Sequence, residues 1–187
     1  MIVRKILGLR EYHFGVLAIY AILCPLIFTF YSDRLSYNFI WGNLGLPTVA
    51  TLGSLLAFYL LNRVFGWCKF KWQRLTLLQI FATLLYALLF AFPEELIFRG
   101  IIQTFLQTYL ENTVVVVILS GLIFGLAHLP NGSHGLHPSK WNWQFAIVTF
   151  VGGLLFAYIF ALTRSLLIPT ILHGLFLAFF RFYIKGK

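Results

Sequence analysis

Two adjacent carboxylates are the first residues in this chain that could do chemistry. Glu94 and Glu95 follow the apolar run Leu75–Phe92 and are two of only five acidic residues among 187. A carboxylate near hydrocarbon is costly unless it is neutralised, paired or placed in a wet cavity. On a helix, Glu95 can pair with Arg99, four residues later, because the two share a face. Glu94 lies about 100° round the axis. The spacing therefore predicts that one carboxylate is held and the other is available.

Two histidines lie in other apolar stretches. His128 ends the stretch that begins at Phe124, and His173 lies inside a later one. Either histidine alone is explained by a hydrogen bond to a neighbouring carbonyl or hydroxyl group. Together, two histidines and a spare glutamate on three apolar helices indicate either a metal site or a carboxylate that activates water.

The composition identifies a polytopic membrane protein. Hydrophobic residues make up 60% of the chain and charged residues 10%, with a mean hydropathy of +0.89, whereas soluble domains carry about 25% charged residues. The net charge of +9 does not indicate nucleic-acid binding, because the positive residues sit in short loops between apolar runs. Cys24 and Cys68 form no C-x-x-C zinc or redox pattern.

The apolar runs predict an all-α transmembrane bundle of about six spans, with a polar catalytic cavity within the membrane. Each span needs roughly 20 apolar residues, and we expect one integral-membrane domain over residues 1–187. The segment Ile101–Glu111 has apolar residues at helical spacing and is expected to form an amphipathic or protein-buried helix. The predicted spans are His13–Tyr31, Leu46–Phe65, Leu75–Phe92, Val114–Leu129, Trp143–Leu162 and Leu166–Tyr183.

Local signals add two expectations about these helices. Asn112-Thr113 can cap the fourth span. Gly121 and Gly125 form a G-x-x-x-G pair, which predicts close helix packing.

Hydropathy alone separates Glu94 and His128 by about 20 Å along the membrane normal, at 1.5 Å per residue. Contact between these two side chains would need a tilted or shifted span, or a fold-back of the chain after Glu94.

The distribution of positive residues predicts the orientation. With six spans and both termini inside, eleven basic residues lie on the inner side and three on the outer side, which favours this orientation. We expect the protein to lie in a bacterial inner (plasma) membrane. The inner set is Arg4, Lys5, Arg10, Arg63, Lys69, Lys71, Arg74, Lys140, Arg181, Lys185 and Lys187, and the outer set is Arg34, Arg99 and Arg164.

Three motifs occur in order along the chain: Glu94-Glu95-x-x-x-Arg99, Phe124-x-x-x-His128 and a late-helix His173. This set resembles the CPBP family, which comprises type II CAAX prenyl endopeptidases and bacteriocin-processing or immunity proteins, also called ABI. The resemblance covers residues of about 75–180. It implies an intramembrane glutamic endopeptidase that needs no metal and cleaves a membrane-anchored protein or peptide.

The resemblance also implies a role for each matching residue. Glu94 would be the general base that activates water, and His128 and His173 would bind that water and stabilise the oxyanion. The supporting residues would be Glu95, Arg99 and Phe124. Leu177 stands where the family commonly has Asn or Asp, so another group would have to supply that polar contact; the candidates are Asn131, His134 and His137.

Other functions remain open at this point. A zinc protease could use Glu94, His128 and His173 as ligands, although the chain has no H-E-x-x-H motif. A non-catalytic immunity or scaffold protein is a second alternative, with Leu177 as the supporting feature. A small transporter is a third, supported by Pro93 and Pro169 in apolar helices. Prenylated substrates are not the default expectation, because the chain is short for an eight-helix CAAX enzyme.

Overall fold

The protein is an all-α helical structure, as predicted. The computed structural model describes residues 11–31, 45–65, 68–70, 74–130 and 138–186. A short antiparallel ribbon pairs β1, Cys68–Phe70, with β2, Ile184–Gly186. The helices in the described part are α1 (Glu11–Tyr31), α2 (Gly45–Phe65), α3 (Leu77–Tyr109), α4 (Thr113–Ala127), α5 (Trp143–Thr163) and α6 (Leu167–Tyr183).

These helices agree with the expected six apolar segments within the described residues. By length and composition, α3 and α5 are each able to cross a membrane, and the apolar parts of the other four are shorter. The fold class predicted from hydropathy is therefore confirmed.

Polar residues at the helix starts explain where several helices begin. Thr76 and Gln79 form a reciprocal cap at the start of α3: the Thr76 N–H donates to the Gln79 side chain at 2.8 Å, and the Gln79 N–H donates to the Thr76 hydroxyl at 3.3 Å. Asn112 caps α4 by accepting from the N–H groups of Val114 and Val115, as the sequence predicts. Asn142 accepts from the Phe145 N–H at the start of α5.

Helix α3 differs from the sequence prediction. The helix does not end at Phe92, where the predicted span ends. It continues through the two glutamates to Tyr109 and so includes most of the segment Ile101–Glu111, which was predicted to form a helix of its own. Two π-helical stretches, Ala87–Ala91 and Leu96–Gln103, enclose the α-helical turn Phe92–Glu95. Pro93 lies in that turn and has no N–H to donate to the preceding turn, and a π turn is one way a helix accommodates such an interruption. The two glutamates are thus near the middle of α3.

The chain divides into two compact units. The first unit spans residues 1–35, 51–96 and 170–187. Its apolar cluster is centred on the buried side chains of Ala82 and Phe90 in α3. Tyr20 from α1 and Leu177 from α6 pack against this cluster. The cluster therefore joins α1, α3 and α6 around the turn that carries the glutamates.

The second unit spans residues 36–50 and 97–169. Its helices α4 and α5 pack closely at the predicted glycine pair. A Cβ atom on Gly125 would lie 2.9 Å from the Ala146 carbonyl oxygen and 3.0 Å from the Phe150 Cα, and one on Gly121 would lie 3.0 Å from the Leu154 backbone N. Real Cβ atoms are essentially never found less than 3.0 Å from backbone atoms, so the close approach of α4 and α5 requires glycine at Gly125. At Gly121, an added Cβ would require the neighbouring α5 atoms to move by a few tenths of an ångström.

Candidate active site

His173 contacts both glutamates in the first unit. Its Nδ1 lies 2.8 Å from Glu95 Oε1, and its Nε2 lies 3.7 Å from Glu94 Oε2. Because a carboxylate only accepts hydrogen bonds, Nδ1 carries a proton and donates to Glu95. Nε2 is therefore the ring nitrogen directed to the Glu94 side. The structure thus brings the two adjacent glutamates of α3 together with a residue of α6 that lies 78 positions after Glu95.

The two glutamates differ in burial, although they are adjacent in sequence. Glu95 is fully buried, whereas 14% of the Glu94 side chain is exposed. The buried carboxylate orients the His173 imidazole, and the more accessible one lies beside the other ring nitrogen. The availability of Glu94 stays a prediction, and the partner that Glu95 contacts in its unit is His173.

Sequence reasoning missed a further residue of this cluster. The Tyr20 hydroxyl on α1 donates a hydrogen bond to Glu94 Oε1 at 3.2 Å. Tyr20 is half-buried and lies inside an apolar run, where an aromatic residue is unremarkable. The sequence carries no signal that singles it out, because the contact joins residues 74 positions apart.

The second unit contains a buried polar network around Arg99. Arg99 Nη1 donates to the Ser120 hydroxyl at 3.2 Å, and that hydroxyl donates to Gln103 Oε1 at 3.3 Å. Gln103 Nε2 donates to the Ala157 carbonyl at 2.8 Å. Arg99, Gln103 and Ser120 are fully buried. The network ties α3, α4 and α5 together, and Gln103 and Ser120 are members of it that the sequence did not point out.

Phe124 and His128 belong to the same unit as Arg99. The Arg99 guanidinium carbon lies 4.9 Å from the centroid of the Phe124 ring, within the range of a cation–π contact. The Phe124 ring is 4.3 Å from the imidazole of His128. His128 Nδ1 lies 2.7 Å from the Phe124 carbonyl oxygen, and since a carbonyl only accepts, this nitrogen carries a proton. His128 can therefore bind a further group only through Nε2.

The predicted site residues thus fall into two groups. Glu94, Glu95 and His173 lie together in the first unit, and Arg99, Phe124 and His128 lie together in the second. The ion pair between Glu95 and Arg99 stays a prediction. Three side chains proposed as substitutes for the family's last polar residue lie outside the described residues: Asn131, His134 and His137.

Arg99, which the charge count placed on the outer side, is fully buried in α3 and lies in the interior of the second unit. Leu177, one turn after His173, packs in the apolar cluster of the first unit. The expected polar group at that position is absent from this chain, and the apolar contact explains how leucine is accommodated there.

A metal site would need several His, Cys, Asp or Glu side chains close together. Among the residues that the structure describes, no group of three or more His, Cys, Asp or Glu side chains has the geometry of a metal site. His173 Nδ1 is directed to Glu95, so only Nε2 could serve as a ligand beside Glu94. The described residues do not form the three-ligand arrangement that catalytic zinc uses.

The geometry does suit the binding of a water molecule. Glu94 Oε2 and His173 Nε2 are 3.7 Å apart, so one water at a hydrogen-bond distance of about 2.8 Å can contact both atoms. A carboxylate can take a proton from that water, and a neighbouring imidazole can hold the oxygen. This combination is suited to attack on a carbonyl carbon.

Comparison with known proteins tests whether the chain belongs to the family that its motifs resemble. A family model described as type II CAAX prenyl endopeptidase Rce1-like matches residues 76–179, which is more than half of the chain. These bounds lie within one residue of the region 75–180 that carries the sequence resemblance, and the recognition from the three motifs is confirmed. Searches of curated proteins and of solved structures give no match. The chain therefore belongs to the Rce1-like family of type II CAAX prenyl endopeptidases.

Proposed function

We propose that this chain, an integral membrane protein of a protease family, is a glutamic-type intramembrane endopeptidase. It hydrolyses a peptide bond in or beside the membrane-associated segment of its substrate. Glu94 is the general base, His173 and His128 are the histidines that bind water and stabilise the oxyanion, and Glu95, Arg99 and Phe124 support them.

The reaction would proceed in two steps. Glu94 Oε2 takes a proton from water, and the water oxygen attacks the scissile carbonyl carbon to give a tetrahedral intermediate. His173 Nε2, when protonated, donates to oxygen on that carbon. Glu94 then returns the proton to the peptide nitrogen, the C–N bond breaks, and an acid and an amine leave.

The different burial of the two glutamates is the observation that carries this proposal. Glu95 is fully buried and accepts from His173 Nδ1 at 2.8 Å, so it acts on the imidazole and not on the substrate. Glu94 is more exposed and lies beside Nε2 of the same ring. One ring thus has an orienting carboxylate on one side and a base on the other, the arrangement that water activation requires.

The substrate is proposed to be a membrane-anchored protein or peptide. The family is one of CAAX prenyl endopeptidases, so prenylated and unprenylated versions of one anchored peptide should be compared directly. For location, we propose a bacterial inner membrane with both termini inside, on the basis of the charge bias between loops. Burial of Arg99 strengthens that bias, since it removes one of three charges counted as outside.

Glu94→Gln tests the proposal. This change keeps the shape of the side chain and removes the base, so kcat should fall by roughly 10²–10⁴ with little effect on folding. The assay is cleavage of an anchored peptide by the purified protein in liposomes, with H₂¹⁸O to show that one solvent oxygen enters the new carboxyl terminus. Glu111→Gln is the matched control, because Glu111 is exposed.

Three results would change the assignment. Full activity in Glu94→Gln would contradict a glutamic mechanism. Loss of activity with a zinc chelator, restored by added zinc, would move the assignment to a zinc protease. No cleavage by the wild-type protein, combined with an intact biological effect of Glu94→Gln in cells, would favour the non-catalytic alternative.

A further inference from the structure

We infer that Tyr20 is a positioning residue for this reaction: its hydroxyl orients the Glu94 carboxylate so that Oε2 faces His173. The inference rests on the proposed function. It concerns a residue outside residues 76–179, the region that the family match covers.

The contact itself is direct. The Tyr20 hydroxyl lies 3.2 Å from Glu94 Oε1 and must be the donor if Glu94 is ionised, because a carboxylate only accepts. The other carboxylate oxygen, Oε2, lies 3.7 Å from His173 Nε2. The two oxygens of Glu94 therefore have separate neighbours, one on α1 and one on α6.

Anchoring one oxygen matters because the last torsion of a glutamate is soft. The carboxylate plane rotates in a broad, roughly two-fold well, so an unanchored carboxylate would sample many orientations. A hydrogen bond to Oε1 restricts that rotation and keeps Oε2 directed to the water position. Catalytic groups need such restriction, since a misplacement of about 1 Å costs roughly 10²-fold in rate.

The ring of Tyr20 is itself held in place. It packs against the cluster of Ala82 and Phe90, together with Leu177. A hydroxyl on a fixed ring has a defined position, unlike one on a long flexible side chain. Packing in the apolar cluster of the first unit thus fixes where the Tyr20 hydroxyl lies beside the Glu94 carboxylate.

Leu177 of α6 packs in the same cluster and contributes only apolar contact. Tyr20 supplies a hydroxyl to the same cluster from a different helix. Helix α1 thus supplies a hydrogen-bond donor to the Glu94 carboxylate.

Tyr20→Phe is the test, because it removes one oxygen and keeps the packing ring. We expect kcat for anchored-peptide cleavage to fall about 10-fold or more, as for loss of a hydrogen bond to a charged group, with KM unchanged. Tyr158→Phe is the matched control, since Tyr158 is 42% exposed. Wild-type kcat in Tyr20→Phe would overturn the inference.

A double-mutant cycle with Glu94→Asp separates positioning from a general folding role. Aspartate is one methylene shorter and withdraws the carboxylate from the Tyr20 hydroxyl, so Tyr20→Phe should add little further loss in that background. A loss that is as large in Glu94→Asp as in the wild-type background would overturn the inference, because the effect would then not pass through Glu94. The cycle decides the question even if the phenylalanine variant is less stable.

The proposed function and this inference can fail separately. If Glu94→Gln is inactive and Tyr20→Phe has wild-type kcat, the glutamic mechanism stands and the role of Tyr20 is refuted. If Glu94→Gln is fully active, the mechanism is refuted and the role of Tyr20 with it.

Discussion

Removal of the Glu95 carboxylate should damage both the stability and the activity of the protein. Glu95 is fully buried and the His173 side chain is only 7% exposed. Their 2.8 Å contact has the length of a charge-assisted hydrogen bond. Glu95→Ala would leave a buried imidazole without this acceptor, and breaking a buried pair in this way costs about 3–5 kcal/mol.

That cost corresponds to a factor between about 10² and a few thousand in the unfolding equilibrium, at 1.4 kcal/mol per tenfold. Glu95→Gln should cost less, because its amide oxygen can still accept from Nδ1 in a neutral hydrogen bond worth about 1 kcal/mol. In both variants kcat should fall by about 10²-fold, the effect of a misplaced catalytic group, since Nε2 of His173 loses its fixed direction.

Reversible unfolding in mixed detergent micelles, followed by circular dichroism, would measure the stability change. Peptide cleavage in liposomes would measure the change in kcat. Glu111→Ala is the control, because it removes an exposed carboxylate. Wild-type unfolding and wild-type kcat in Glu95→Ala would refute the proposed bracing of His173 by Glu95.

Two further substitutions test the second unit. Arg99→Ala removes a buried cation that donates to Ser120 and should lower stability by about 1.5–3 kcal/mol, as for loss of a hydrogen bond to a charged group, and reduce activity, in contrast to exposed Arg74→Ala. Equal thermal stability and activity of the two variants would contradict the role of the network. Gly125→Ala should lower stability by about 1–3 kcal/mol, because its Cβ would meet backbone atoms of α5 at 2.9–3.0 Å. Gly53→Ala is the control: its Cβ would meet nothing within 4 Å, so this variant should be at least as stable as the wild type, because alanine favours a helix over glycine. Equal stability of Gly125→Ala and Gly53→Ala would contradict the tight packing of α4 against α5 at Gly125.

The sequence by itself determined the class of the protein and most of its helices. Apolar runs of about 20 residues are a local property, so the six helical segments could be predicted from hydropathy. Caps such as Asn112 and the glycine pair of α4 also depend on short spacings. The three motifs were sufficient for the family, which the match to residues 76–179 confirmed.

Tertiary structure decided how the side chains are arranged. The bonds of His173 to Glu95 and of Tyr20 to Glu94 join residues 78 and 74 positions apart, and no local pattern specifies which distant helix supplies a partner. The π turns on both sides of Phe92–Glu95 change the angle at which later side chains leave α3. A face inferred from α-helical spacing is therefore shifted beyond those turns.

The two glutamates illustrate the difference most clearly. Their adjacency in the sequence predicted that one is held and the other is available, because neighbours on a helix point about 100° apart. The identity of the holding group depends on which helix packs against that face, and in the first unit it is α6 with His173. Helix propensity and hydropathy act within a segment, whereas the partners of a buried charge are selected by packing between segments.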